Sequence, residues 1–567
     1  MKWIFSNDKA IDADFLSFLK DKMKLPGYLI KVFVDRGFDS TEKINQIFNV
    51  DEINLNSPFL FEDMKKAVER INVAVNKREK IVIYGDYDVD GVTAIVILMK
   101  FFKEHYEYDN VDFYIPHRQE EGYGLNHDAV KFLKDKGASL IITVDCGINA
   151  KEEINYCVQL GMDVIVTDHH IPDEDKIPYA ASAIINPKVS EKYPDKDLSG
   201  AGVAYKLLCG MAEDKNINLN DEFLDFVALG TVADVVPISN ENRIIIRRGL
   251  KKIKNTSNKG LIELKNVSGI NDKTDITTYH IGYILGPRIN AAGRIEHANQ
   301  AVRLFLSEEP EEIKEIAKNL NLTNEERKKQ MKNIEEQAVL LLNNTFKKED
   351  DFIITVYGES WNSGVIGLVA SHITKQYNRP AFVMTKSDDG LIHGSGRSIP
   401  TVDLYDVLRN VDKYLIKYGG HKFAAGISLK LEDMENFKKY SNDYLKSTKK
   451  PEDFEPRLSV DAGIKENINF RDIKILDKLK PWGAGNPEPV FAMENVFIKE
   501  VRYYKNNTMK FYGTFGGKYY NFILYNYCEE DKEKIKTGAI VNVAFTPVIN
   551  QWNGEEQLTF DVKDVQP

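Results

Sequence analysis

Short apolar runs that close on aspartate constrain this chain more than any other feature. Ile81-Val82-Ile83-Tyr84, Leu140-Ile141-Ile142-Thr143-Val144 and Val164-Ile165-Val166-Thr167 are each followed by an aspartate within two residues. Their length and apolar character read as buried strands. Another such run covers 111–115, and helical spacing over 93–102 and 151–160 lies between them. Strands alternating with helices of this length form βαβ units and a parallel sheet. Ligands bind outside the carboxyl ends of such strands, so the residues just after these runs are predicted to share one crevice.

Those residues are acids. Gly85-Asp86-Tyr87-Asp88-Val89-Asp90-Gly91 holds carboxylates that repel one another unless cations or helix N-terminal amides compensate them. Alternation along an extended segment lets Asp86 and Asp88 converge, and Asp90 is placed to cap the following helix. The spelling also matches the start of an EF-hand loop, but position twelve is Ile97 and a strand precedes it. A solvated acidic turn is the plain alternative for this stretch taken alone. Thr143-Val144-Asp145-Cys146-Gly147 and Val166-Thr167-Asp168-His169-His170 end in the same way, and Asp234 interrupts an apolar helical run where a bare carboxylate is costly. So many strand-associated acids exceed what caps and surface ion pairs explain. Oxygen ligands with one or two imidazoles suit Mn2+ or Mg2+ better than Zn2+. The acids suffice for two ions about 3.5–4 Å apart, the arrangement that hydrolyses phosphate esters.

The rest of the chain divides by texture. Residues 1–75 read as a helical region and 76–305 as the α/β unit just described. Residues 306–350 read as long linking helices, the alternative being a solvated helix within one domain. A second α/β unit covers 351–450, and 455–567, rich in aromatic and β-branched residues, reads as an antiparallel barrel. Four cysteines without C-x-x-C spacing argue for a reducing, cytoplasmic setting and against structural zinc. No apolar run is long enough to span a membrane. The formal net charge of -10 argues against a wholly basic nucleic-acid coat but leaves room for a local basic path.

Asp168-His169-His170 with Gly85-Asp86-Tyr87-Asp88 resembles the DHH phosphoesterase superfamily, and Tyr418-Gly419-Gly420-His421-Lys422-Phe423-Ala424-Ala425-Gly426 resembles the glycine-rich signature of its associated DHHA1 domain. Ile115-Pro116-His117-Arg118, Gly286-Pro287-Arg288, Gly394-Ser395-Gly396-Arg397 and Pro481-Trp482-Gly483-Ala484-Gly485-Asn486-Pro487 are similar to the RecJ branch, bacterial single-strand-specific 5′→3′ DNA exonucleases. The resemblance implies a DHH domain, a DHHA1-like domain and a C-terminal OB-like barrel. It implies two ions, Mn2+ or Mg2+, on Asp86, Asp88, Asp145, His169 and Asp234, with Asp145 bridging and His170 at the scissile phosphate. Arg118, Arg288, Ser395 and Arg397 match positions that handle nucleic-acid phosphates. His421 matches a phosphate contact or a structural histidine in a glycine turn. Many superfamily members have histidine where Tyr84 stands, which implies a weaker or more hydrated first metal site.

The barrel region carries the binding argument. Residues 455–567 hold 15 Lys+Arg against 16 Asp+Glu, and 501–528 hold no acid at all. There Arg502, Lys505, Lys510 and Lys518 alternate with Tyr503, Tyr504, Phe511, Tyr512, Phe515, Tyr519 and Tyr520. Basic residues track a nucleic-acid backbone while rings stack on unpaired bases. Tyr503, Tyr504, Phe511 and Tyr512 are the stacking candidates, with about half of all these rings expected in the barrel core. The expected activity is a single-stranded-DNA-specific exonuclease releasing 5′-mononucleotides in recombination and repair. The resemblance implies single-strand-binding protein and a RecQ-type helicase as partners. The alternatives are an oligoribonuclease or cyclic-dinucleotide phosphodiesterase of the same superfamily, and a non-catalytic single-strand-binding scaffold.

Overall fold

Five parallel strands form the first sheet: β1 (Lys80–Gly85), β2 (Val111–Tyr114), β3 (Ala138–Val144), β4 (Asp163–Thr167) and β5 (Ala183–Ile185), in the order β2-β1-β3-β4-β5. The chain leaves β1 toward β2 on one side and returns to β3 on the other, which makes the β1/β3 junction a topological switch point. In the computed structural model all of the chain is described except residues 8, 51–52, 118–120, 296–297, 388 and 553–554.

Helix α1 (Val89–His105) covers one face of this sheet and is buried from Val89 through Leu98. A helix so apolar all round must be enclosed by other elements. It packs against α2 (Gly200–Asp214) and α3 (Leu224–Ala233), with α4 (Gly286–Ile295) alongside. Where linking helices were expected, one helix, α5 (Pro310–Thr345), runs for 36 residues. Pro310 sits at its start, where a missing N–H costs nothing. Its first half buries Ile313, Ile316, Ala317 and Leu320 in the first core, and its second half buries Ile334, Ala338 and Leu342 against the second unit.

The second sheet is built from β6 (Ile354–Gly358), β7 (Ala381–Lys386), β8 (Ile392–Arg397), β9 (Lys417–His421) and β10 (Ala424–Leu429), in the order β9-β10-β8-β7-β6. Only β6 and β7 are parallel. Helix α6 (Ile366–Tyr377) crosses between them.

The C-terminal barrel is formed by β11 (Phe491–Tyr504), β12 (Thr508–Phe515), β13 (Lys518–Tyr525), β14 (Ile540–Trp552) and β15 (Glu555–Gln566). Strand β13 pairs with β15, β15 with β14, and β14 returns to β11 to close it. The N-terminal region differs from the helical expectation. Residues Lys2–Phe5 form a strand parallel to Arg457–Val460, 455 residues away in sequence. Four residues are too few to signal a strand locally; the partner supplies the ladder. The helices Gly27–Asp35 and Thr41–Phe48 then bury Leu29, Phe33, Ile44 and Ile47 in one core with barrel residues Phe491, Phe511 and Phe522.

Candidate metal centre

At the switch point Asp86 and Asp145 follow neighbouring strands. Gly91 permits the tight turn between β1 and α1, since a Cβ there would stand 2.5 Å from the Asp86 carbonyl oxygen. Asp88 is the N-cap of α1 and accepts from the N–H groups of Asp90 at 2.9 Å and Gly91 at 3.2 Å. Asp90, the expected cap, has another role. Inside the first turn and fully buried, it reaches across 110 residues to accept from the N–H of Gly200 at 2.6 Å and of Ala201 at 3.0 Å. Two of the free N–H groups at the start of α2 are thereby satisfied.

Asp145 has φ 59°, a left-handed conformation uncommon for a residue with a Cβ. It lies against the first residue of α2, where a Cβ on Gly200 would come within 2.5 Å of the Asp145 side chain. His169 Nε2 is 3.2 Å from Asp145 Oδ1 and 3.5 Å from Asp234 Oδ2. Three overlapping ligand sets form within 4.8 Å: Asp86, Asp88 and Asp145; Asp145, His169 and His170; Asp90, His169 and Asp234. Asp145 and His169 each belong to two of them.

Asp168 faces inward and works as a hub. Its carboxylate accepts from the N–H groups of His169 at 2.7 Å, His170 at 3.0 Å and Ile148 at 2.9 Å, and from the His170 ring at 2.8 Å. The Tyr123 hydroxyl donates to the Asp145 carbonyl at 3.1 Å and lies 3.2 Å from His170 Nδ1. Tyr84, buried against Tyr114, donates to the Gly124 carbonyl at 2.9 Å and so holds the loop that carries Tyr123. Sequence reasoning found Asp168 as part of a triplet but missed its role, and it gave Tyr123 no role.

The electrostatics fit divalent cations. Burial, then the Asp90 and Asp88 charges, push the Asp234 carboxyl up to about 8. Burial and the surrounding acids raise Asp145 well above the usual carboxylate range. Burial foremost pushes His169 down to about 3, so the ring is neutral, and its hydrogen bond to the Leu198 backbone leaves Nε2 as a lone pair among the acids. Asp145 Oδ1 and His169 Nε2 are buried acceptors that make no hydrogen bond. Buried acceptors facing one another are costly unless a cation is shared between them. Burial works to lower His170, but the Asp168 carboxylate outweighs it and the imidazole is raised.

The remaining predicted residues are spread over three units. Arg288 is buried on α4, with Nε donating to Asn321 at 3.0 Å and Nη1 to the Ile284 carbonyl at 2.6 Å. Helix α4 flanks the acid loop: Asn290 accepts from the Val89 N–H at 3.1 Å, and Gly293 packs over Tyr87. Arg118 lies outside the described residues. Ser395 and Arg397 share one face of β8, 3.1 Å apart, against Gly367 in the first turn of α6. His421 is exposed at the end of β9.

On the barrel, Tyr503 and Tyr504 are 53% and 50% exposed, and Tyr512 lies beneath Arg502 and Lys510 at 5.5 and 5.6 Å. Phe511 corrects the expectation. It is fully buried and stacks on Phe522 at 5.0 Å, because odd-numbered positions of β12 face the barrel interior. A groove of about 600 Å³ on the outer wall is lined by Phe470, Lys510, Tyr512, Lys518 and Tyr519.

Three family models match in order: the DHH family N-terminal domain over residues 80–231, the DHHA1 domain over 350–447 and the RecJ OB domain over 461–564. The single-stranded-DNA-specific exonuclease RecJ of Bacillus subtilis is 36% identical over 558 residues, covering 98% of this chain and 70% of that protein. The Escherichia coli K12 protein of the same name is 32% identical, covering 82% and 83%. The crystal structure of RecJ in complex with Mn2+ from Thermus thermophilus superposes with a TM-score of 0.83 at 25% identity, covering all of this chain and 79% of that one.

Proposed function

This chain belongs to the RecJ family of single-stranded-DNA-specific exonucleases, and on that premise we propose how its residues divide the work. The activity is hydrolysis of phosphodiester bonds in single-stranded DNA with Mn2+ or Mg2+, for which we infer 5′→3′ polarity and 5′-mononucleotide products. The observation that carries the reading is the pair of buried acceptors, Asp145 Oδ1 and His169 Nε2, set among three converging aspartates.

In this reading Asp86, Asp88, Asp145, His169 and Asp234 would hold two ions, Asp145 matching the carboxylate common to both in the family resemblance. Ions held there would lower the pKa of a water and neutralise charge that builds on the phosphate. His170 then presents Nε2 to the scissile phosphate, while Asp168 engages its Nδ1 and fixes the tautomer. The Asp168 carboxylate raises the imidazole against the lowering effect of burial, which favours an N–H directed toward an anionic substrate. Arg288, Ser395 and Arg397 seat the flanking phosphates, since guanidinium forks pair with phosphate oxygens. Tyr84 is a loop support in place of a ligand, which leaves Asp86, Asp88 and Asp145 as the protein donors of the first ion. His421 is assigned to a strand phosphate, and Tyr503, Tyr504 and Tyr512 to stacking on the barrel. Family resemblance supports a cytoplasmic location and association with single-strand-binding protein and a RecQ-type helicase. Among the described residues no helix is long and apolar enough to cross a membrane.

The test uses 5′-phosphorylated single-stranded DNA, matched RNA and cyclic dinucleotides with Mn2+, repeated with Asp145→Ala. DNA is degraded from its 5′ end to mononucleotides, and the variant loses at least about a thousandfold in rate. Untouched DNA, or a variant as fast as the parent, overturns the reading.

A further inference from the structure

Between the acid crevice and the barrel lies a segment to which no role has yet been given. Residues His280–Leu285 form a π-helical stretch that runs directly into α4. Helices of this widened kind are rare and concentrate at functional sites. At its start, Tyr279 and Tyr283 stack on each other with ring centroids 5.1 Å apart and planes 26° apart. They are 59% and 72% exposed, so the outer faces of both rings lie open to solvent. A side chain added at the intervening Gly282 would meet nothing within 4 Å, so the backbone beside the rings is open as well.

The position of this pair is what identifies an occupant. Gly286, three residues beyond Tyr283, packs against Ala233 and Val89, the chain neighbours of Asp234 and Asp88. Tyr283 therefore stands about one helical turn before a residue that packs beside the acid cluster. Arg288, a turn further on, places a cation on the same helical path, and its hydrogen bonds go to Asn321 and a backbone carbonyl rather than to a carboxylate. On the other side, the Thr278 hydroxyl donates to the Trp482 carbonyl at 2.7 Å. That contact ties the segment to the loop leading into the barrel, whose outer groove carries Lys510, Lys518, Tyr512 and Tyr519. Open aromatic faces between the acid crevice and a basic groove on the barrel suit unpaired bases, because every base presents a π-face.

We propose that Tyr279 and Tyr283 form a stacking platform for bases of the single-stranded substrate just outside the crevice, bridging the catalytic unit and the barrel. The proposal rests on the exonuclease reading above. A strand long enough to leave the crevice gains the stacks, whereas a dinucleotide ends before reaching both rings. The platform thus confers a preference for length.

The experiment compares kcat/KM for a 5′-phosphorylated 20-mer and a 5′-phosphorylated dinucleotide. For Tyr279→Ala/Tyr283→Ala the 20-mer-to-dinucleotide ratio is expected to fall about 10–100-fold, chiefly through KM of the 20-mer, the scale of one lost base stack on the shared platform. Tyr279→Phe/Tyr283→Phe keeps the ring faces and is expected to stay within threefold of the parent ratio. A ratio unchanged in the alanine pair overturns the platform, and so does an equal loss on both substrates, which marks a structural effect. If the parent protein cleaves neither substrate, the exonuclease reading fails by itself. The platform is then read from binding: quenching of 2-aminopurine in oligothymidylate on addition of protein with Ca2+. Quenching that is weaker in the alanine pair supports stacking, and equal quenching overturns it.

Discussion

Asp168 accepts four hydrogen bonds from three residues, all of which fix the turn that carries His169 and His170. Replacing it by asparagine preserves shape and removes charge. Asp168→Asn is expected to lower kcat roughly 10–100-fold, as loss of an orienting partner does. Mononucleotide release by single-turnover kinetics checks this, and a loss under threefold would show that His170 is held by other contacts. A second prediction concerns protons. Because burial and neighbouring acids raise Asp234 to about 8, the folded metal-free protein retains a proton there that the unfolded chain releases near its usual pKa of about 4. The folded state then binds more protons across that window, so this residue's contribution to stability falls as pH rises from about 4 to 8. Metal-free Asp234→Asn should therefore gain stability over the parent as pH rises from 5 to 8, and Mn2+ should reverse the order. Urea unfolding at pH 5 and 8, with and without Mn2+, measures both effects. The ligand types were legible because each follows an apolar run. The hub function of Asp168 was not, since it depends on the backbone N–H of Ile148, twenty residues upstream and brought close only by the sheet.

The elements meet with little spare room. The N-terminus of α2 approaches the end of β3 so closely that Gly200→Ala would place a methyl 2.5 Å from the Asp145 side chain. Overpacking of this kind typically costs about 1–3 kcal/mol. The expected result is a similar loss in unfolding free energy and at least a tenfold weaker Mn2+ affinity by titration calorimetry. An alanine variant with parental affinity would show that Asp145 can shift without leaving the site. Strands β1, β3 and β4 were readable because both faces are covered, which makes their sequences continuously apolar. The strand at Lys2–Phe5 escaped, since its ladder partner lies in the last fifth of the chain. Asp90 escaped for a related reason: its cap is paired with α2, not with its own helix. The parity of β12 was readable in outline, with Lys510 and Tyr512 in one phase and Met509 and Phe511 in the other. Only barrel closure decides which phase faces inward.

At the scale of the whole molecule, the chain's two ends share a core. Phe33, Ile44 and Ile47 from the first fifty residues pack with Phe491, Phe511 and Phe522 of the barrel. A fragment of residues 455–567 alone should therefore expose apolar surface and aggregate or melt early. Co-expression with residues 1–50 should restore a soluble species, and thermal unfolding of the two preparations distinguishes them. Equal melting temperatures would mean that the barrel is complete without the N-terminal helices. Texture along the sequence marked the barrel and both sheets, but not this shared core, because no local pattern reports a contact between distant segments.

Helix α5 is anchored in one core at its first half and in another at its second, with no break along its length. At 1.5 Å per residue it is about 54 Å long. Flexing it at the midpoint by one degree would carry the far end by about 0.5 Å. Helix α5 is thus one continuous rod joining the unit that holds the acid crevice to the unit that holds the Ser395–Arg397 face of β8. Arching that rod costs elastic work, so stiffening or kinking α5 would change how the two units move against each other without touching a residue of either face.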